Sequence, residues 1–100
     1  PGSTFEATRT LAGLALAVRR DDRTWAAAWA AAERALFRVR DADAPWLLEL
    51  AGRRAVDAGR TERAREVWGL ATAAYRRLGR PTDAGRVERA AETLGRSQLG

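Results

Sequence analysis

The sequence predicts an all-α fold of about five antiparallel helices stacked as helical hairpins. Apolar residues recur at intervals of three and four and rarely alternate, which is the period of a helix with one buried face. β-Branched residues, which favour strands, are few. Between the periodic stretches, RRDDRT, RDADAP, AGRT and LGRPT supply the Asp, Gly and Pro of caps and turns. Four breaks make five helices. With 100 residues the chain forms one domain with a single modest core, so every helix must contribute burial.

The first helix is expected from about Thr4 to Arg20, with Phe5, Leu11, Leu14, Ala15 and Val18 on one stripe and Leu16 off it. Ser3 and Glu6 have the spacing of a capping box. The second helix, about Arg23 to Arg38, carries Trp25, Ala28, Trp29, Ala32, Leu36 and Val39 at helical spacing and alanine over much of the rest. So little bulk permits close approach from both sides, and this helix is expected to be sandwiched. Pro45 suits a first turn, where its missing amide hydrogen loses nothing, and Asp43 can cap it. The third helix then runs from about Pro45 to Ala58, with Leu47, Leu48, Ala51, Ala55 and Ala58 apolar. Gly52 stands in its middle, where glycine costs about 1 kcal/mol against alanine, and close helix packing is the expected reason. The fourth helix, about Thr61 to Leu78, has the stripe Ala64, Val67, Trp68, Ala71, Tyr75 and Leu78. Its other face, Glu62, Arg63, Arg65, Glu66, Arg76 and Arg77, reads as solvent-facing, with Glu62 pairing Arg65 and Arg63 pairing Glu66. The fifth, about Thr82 to Leu94, repeats the pattern with Ala84, Val87, Ala91 and Leu94 and closes the stack.

Composition narrows the chemistry. Without cysteine there are no disulfides or thiolates, and without histidine the commonest general base and metal ligand are missing. All 18 basic residues are arginine, and lysine, isoleucine, asparagine and methionine are absent. That bias has the look of GC-rich coding, so the basic character is partly a genome habit. Residues 1–50 hold seven arginines against seven acids and residues 51–100 hold eleven against six, so the net charge of +5 lies in the second half. No apolar run approaches the ~20 residues of a membrane span, and no membrane partner is expected. Pro1, Gly2 and Ser3 resemble the remnant of a cleaved tag, which leaves residues 4–100 as a single domain expected to be a fragment of a longer protein. The pairs Asp21 with Asp22 and Asp41 with Asp43 fall in breaks, where Asp caps the next helix. No P-loop, metal-ligand cluster or nucleophile with its base is present, so neither catalysis nor a metal or cofactor is expected.

Gly59, Ala64, Trp68 and Ala71 stand at the spacing of the turn glycine, close-packing alanine, aromatic and second alanine of a tetratricopeptide repeat. Leu48, Ala51, Gly52 and Ala55 match the apolar and small positions of its first helix, so residues 45–78 resemble one such repeat. Laying DDRT over AGRT brings Leu11, Leu14, Ala15 and Val18 onto the same first-helix positions. Ala28, Ala32 and Ala35 then fall one residue late, and the turns are 37 residues apart where about 34 is usual. The ending AYRRLGRPTDAGRVERAAETLG is similar to the tetratricopeptide-like C-terminal regions of large bacterial transcriptional regulators, including ATP-binding activators related to the maltose regulator.

That resemblance implies a right-handed α-α superhelix in a cytoplasmic protein, binding a protein or peptide partner without catalysis on an inner face lined by the first helix of each pair. Carried over residue by residue, the inner positions are Arg9, Ala12, Leu16, Arg19 and Arg20, then Trp46, Glu49, Arg53, Val56 and Asp57. Arginine with tryptophan and leucine suits an acidic or amphipathic peptide, because arginine and tryptophan are frequent interface anchors. Trp25, Trp29 and Trp68 read as core, whereas Trp46, beside Pro45, is open between hairpin packing and a partner anchor. Two other classes remain. Arg53, Arg54, Arg60, Arg63, Arg76, Arg77, Arg80, Arg86 and Arg89 argue for nucleic acid, but they alternate with Glu62, Glu66, Glu88 and Glu92, which weakens the field. An apolar end of the stack would instead favour a homodimer.

Overall fold

Five helices make up the computed structural model: α1 (Gly2–Ala17), α2 (Asp22–Leu36), α3 (Ala44–Asp57), α4 (Thr61–Arg77) and α5 (Pro81–Leu99). The structure describes residues 2–36, 38 and 44–99, with the side chains of residues 6–36, 38 and 44–95. Among them there is no strand, and the all-α stack of hairpins is the one expected. Packing follows a line, α2 on α1, α1 on α3, α3 on α4 and α4 on α5. The result is a flat body of 46 × 33 × 16 Å.

The α3–α4 and α4–α5 connections share one build. Gly59 and Gly79 have φ of 75° and 73°, the left-handed conformation that glycine reaches without a Cβ penalty. Behind each, the same two backbone bonds close the preceding helix: Gly59 N to Val56 O at 3.0 Å with Arg60 N to Ala55 O at 2.8 Å, and Gly79 N to Arg76 O at 3.0 Å with Arg80 N to Tyr75 O at 2.8 Å. These are Schellman closures, in which the glycine turn satisfies the last carbonyls of the helix. The α1–α2 connection has no such glycine. There Arg20 N bonds Ala17 O at 3.0 Å, and the carbonyls of Val18 and Arg20 accept instead from the guanidinium of Arg63 on α4, at 2.8 and 2.7 Å.

The core is built from the expected stripes. Leu11 and Leu14 of α1, with Val18 just beyond it, share one buried cluster with Leu48, Ala51 and Ala55 of α3, Ala64, Val67, Ala71 and Tyr75 of α4, and Ala84 and Val87 of α5. Gly52 carries the predicted close approach: a Cβ there would lie 2.1 Å from Trp68 Nε1, so α3 and the indole of α4 fit together because that position has no side chain. Asp21 caps α2 through Thr24, whose hydroxyl lies 2.5 Å from Oδ1. That hydrogen bond leads the causes that hold the Asp21 carboxyl below its ordinary range.

Three expectations are corrected. Helix α1 starts at Gly2 and takes Ser3 into its first turn, so Ser3 is a helical residue and not an N-cap. Helix α2 is not sandwiched: as the end of the line it packs along α1, and Ala26 and Ala27 face solvent. Arg63, expected in solvent beside Glu66, is buried, because α1 leaves carbonyls that only a donor from another helix can reach. The side chains of Phe5, Val39, Asp41 and Asp43 lie outside the described residues.

Candidate functional site

Helices α1 and α3 lie side by side, and the residues predicted for the inner face sort along them by helical azimuth. Leu16 is 73% exposed although Ala15 and Ala17 on either side are buried. It opens a groove of about 350 Å³ between α1 and α3, bounded by Arg19, Arg54 and Asp57 over a floor of Ala15 and Val18. The crest of α3 carries Trp46, half exposed, and Arg53 two turns later. Beyond the crest, Arg53 and Val56 border a second groove of about 240 Å³, shared with Trp68, Arg86, Val87 and Ala90. The structure thus places Leu16, Arg19 and Asp57 at one groove and Arg53 and Val56 at the next. Arg9, exposed, stands two turns before Leu16 on the same azimuth of α1, Ala12 is half-buried between them, and Arg20 is exposed in the turn beyond the helix.

Glu49 departs from this pattern. Its side chain is buried and both carboxylate oxygens are engaged: Oε2 accepts the Tyr75 hydroxyl at 2.5 Å and an Arg86 amino group at 3.2 Å, and Oε1 accepts the other Arg86 amino group. Its backbone carbonyl accepts Trp68 Nε1–H at 3.2 Å. Glu49 therefore ties α3 to α4 and α5 rather than facing a partner. Burial, followed by the Glu49 hydrogen bond, pushes the Tyr75 hydroxyl up to about 12. The hydrogen bonds to Glu49 and then Asp83 raise the Arg86 guanidinium, and the hydrogen bond from Arg86 holds Asp83 low. Every buried side-chain nitrogen or oxygen among the described residues has a partner, so this cluster is closed on itself.

The charges separate by face in a way that the linear sequence hides. On α4 and α5 three acids are paired, Glu62 with Arg65 at 2.5 Å, Glu88 with Arg76 at 2.8 Å, and Asp83 with Arg80 at 2.8 Å and Arg86 at 3.1 Å, while Glu66 is exposed and makes no ion pair among the described residues. On the α1–α3 face, Arg9, Arg19, Arg20, Arg53 and Arg54 are exposed and make no side-chain ion pair among the described residues. The acids exposed beside them are Glu6, Asp21 and Asp57. Such a face attracts anions.

Sequence reasoning missed Arg54 as a groove residue and missed Tyr75 and Arg86 as the partners of Glu49. Arg54 was legible as the neighbour of Arg53, one step around the helix toward α1. Arg86, 37 residues from Glu49, carried no local signal. Among the described residues no three His, Cys, Asp or Glu side chains gather as a metal site, and no helix is long and apolar enough to cross a membrane. Compared with protein-family models, with curated proteins and with solved structures, the chain gives no match in any of the three.

Proposed function

We propose that this chain is a non-catalytic protein-interaction module that receives its partner on the α1–α3 face, in the manner of the tetratricopeptide-like domains of cytoplasmic bacterial regulators. One observation carries the reading. The large apolar side chains left exposed among the described residues are Leu16, Trp46 and Val56: Leu16 stands at the α1–α3 groove, Trp46 on the crest of α3 beside it, and Val56 at the edge of the next groove. Exposed apolar groups set among unpaired cations have the makings of an interface, with a hydrophobic anchor region and a polar surround.

The test places a photo-cross-linking amino acid at position 16 or 46, with position 26 on the exposed side of α2 as control, in the protein expressed in its native cell. One polypeptide should be captured at 16 and 46 and not at 26. Arg19→Glu with Arg53→Glu should weaken that capture while circular dichroism stays unchanged. Equal capture at all three positions would overturn the assignment.

The unpaired arginines of this face also favour a second reading, a nucleic-acid surface. That reading predicts that a labelled single-stranded oligonucleotide binds at low salt and is released steeply as salt rises, because phosphate contacts act through counterion release.

A further inference from the structure

The groove between α3 and α5 is narrower and chemically more defined than the one between α1 and α3, and it exists because of a complementary pair. Gly52 has no side chain, so Trp68 of α4 reaches past α3 and lies in the gap toward α5. Its indole floors the groove, and Val56, Val87 and Ala90 wall it. In the first hairpin, Ala15 and Ala31 occupy the positions that the turn overlay assigns to Gly52 and Trp68, so the aromatic floor belongs to the second hairpin.

Three properties define the occupant. The volume of about 240 Å³ holds roughly eight waters at about 30 Å³ each, and pockets for whole small-molecule ligands are roughly 300–1,000 Å³. One side chain fits it. Apart from Arg53 at the rim, the polar groups in its lining are already satisfied, since Trp68 Nε1–H donates to the Glu49 carbonyl and the Glu49 carboxylate is held by Tyr75 and Arg86. A nucleobase edge would find no free partner there and would be buried at a cost, whereas a phenyl or leucine side chain has no such demand. At the rim, Arg86 is neutralised by Glu49 and Asp83, while Arg53 is exposed and unpaired among the described residues.

We infer that the α3–α5 groove is the anchor pocket for a partner segment in which an aromatic or leucine side chain is followed by an acidic residue, the apolar group lying on Trp68 and the carboxylate meeting Arg53. This rests on the interaction reading above and names the chemistry that the partner presents.

The chain holds four tryptophans, so the indole N–H region of a ¹⁵N-resolved spectrum contains few cross-peaks, and Trp68→Phe identifies the relevant one. The probes are acetyl-Phe-Asp-amide, its neutral counterpart acetyl-Phe-Asn-amide, and adenosine monophosphate. The Asp dipeptide should move the Trp68 cross-peak saturably, binding about two- to fivefold more tightly than the Asn dipeptide, the range of a single exposed charge contact. Arg53→Gln should erase that difference. Ala90→Trp, at an exposed position, should abolish the shift with the Trp25 and Trp29 cross-peaks unmoved; if those move, Ala90→Leu replaces it. Leu16→Asp should leave dipeptide binding intact, so a failure of the α1–α3 assignment and a failure of the pocket read out separately. No Trp68 shift, equal shifts from both dipeptides, or a stronger shift from adenosine monophosphate overturns the inference.

Discussion

Tyr75 offers an unusually direct reading of the buried cluster, because it is the single tyrosine and the chain has neither cysteine nor lysine to titrate nearby. Its hydroxyl is raised to about 12 by burial and the Glu49 carboxylate. A folded-state value above the ordinary 10 means that the protonated phenol contributes stability in full below pH 10 and loses it as pH rises through about 12. The phenolate absorbance at 295 nm should therefore titrate near 12 in the folded protein, and Glu49→Gln should bring the midpoint down toward 10; a wild-type midpoint of 10 would contradict the hydrogen-bonded burial. Glu49→Ala should lower stability by about 1–3 kcal/mol in urea titrations, the range for leaving a buried hydroxyl without its acceptor. The sequence pattern placed Glu49 on the inner face, whereas its side chain is buried against α4 and α5. What the pattern lacked was the cover, since helical periodicity says which way a residue points along its own helix and nothing about a guanidinium arriving from α5.

At the scale of elements, glycine was the most legible residue and alanine the least. Gly59 and Gly79 announced the turns because the left-handed conformation has few other tenants. Gly52 announced a close approach because a helix rarely tolerates its entropy without one, and Trp68 proves to be the neighbour. Alanine on α2 says what could pack there, not whether a neighbour exists, and the end of a line of helices has none on one side. Two glycine substitutions separate packing from propensity. Gly69→Ala, on an exposed stretch of α4 where an added Cβ meets nothing within 4 Å, should stabilise by about 0.5–1 kcal/mol. Gly52→Ala makes the same chemical change but drives a methyl into the Trp68 indole, and should instead destabilise by about 1–3 kcal/mol as overpacking does. Urea unfolding of both variants gives opposite signs if Trp68 occupies that space; the same sign in both would not be compatible with it.

Across the whole molecule the helices touch in a line, and one buried cluster runs along it through all five, so each helix depends most on its immediate neighbours. The α1–α2 hairpin joins the rest along the α1–α3 contact, at the end of α2 through Arg77, which donates to the Leu36 carbonyl at 3.4 Å, and through Arg63, which donates to the Val18 and Arg20 carbonyls, lies 2.7 Å from Asp22 and stacks 5.1 Å over the Trp25 ring. The resemblance to repeat proteins suggested the stack but could not have shown this joint, because a side chain in the middle of an exposed-looking charge pattern replaced the turn glycine that α1 lacks. The contributions of the joint are unequal. Asp22 is fully exposed, so water and salt screen its bond and Asp22→Ala should leave the urea midpoint nearly unchanged. Arg63 is buried against backbone carbonyls that have no other donor, and Arg63→Ala should cost about 1.5–3 kcal/mol, the range for a hydrogen bond to a charged group. Arg63→Lys should restore little, since one ammonium cannot span both carbonyls and the carboxylate as the planar fork does. Because the joint lies between units, the loss should also be uneven along the chain. Hydrogen exchange in Arg63→Ala should accelerate in α2 and the last turn of α1 while α3 and α4 keep their protection. Uniform acceleration through all five helices would mean that the molecule unfolds as one unit and that Arg63 is an ordinary core contact rather than the link between two halves.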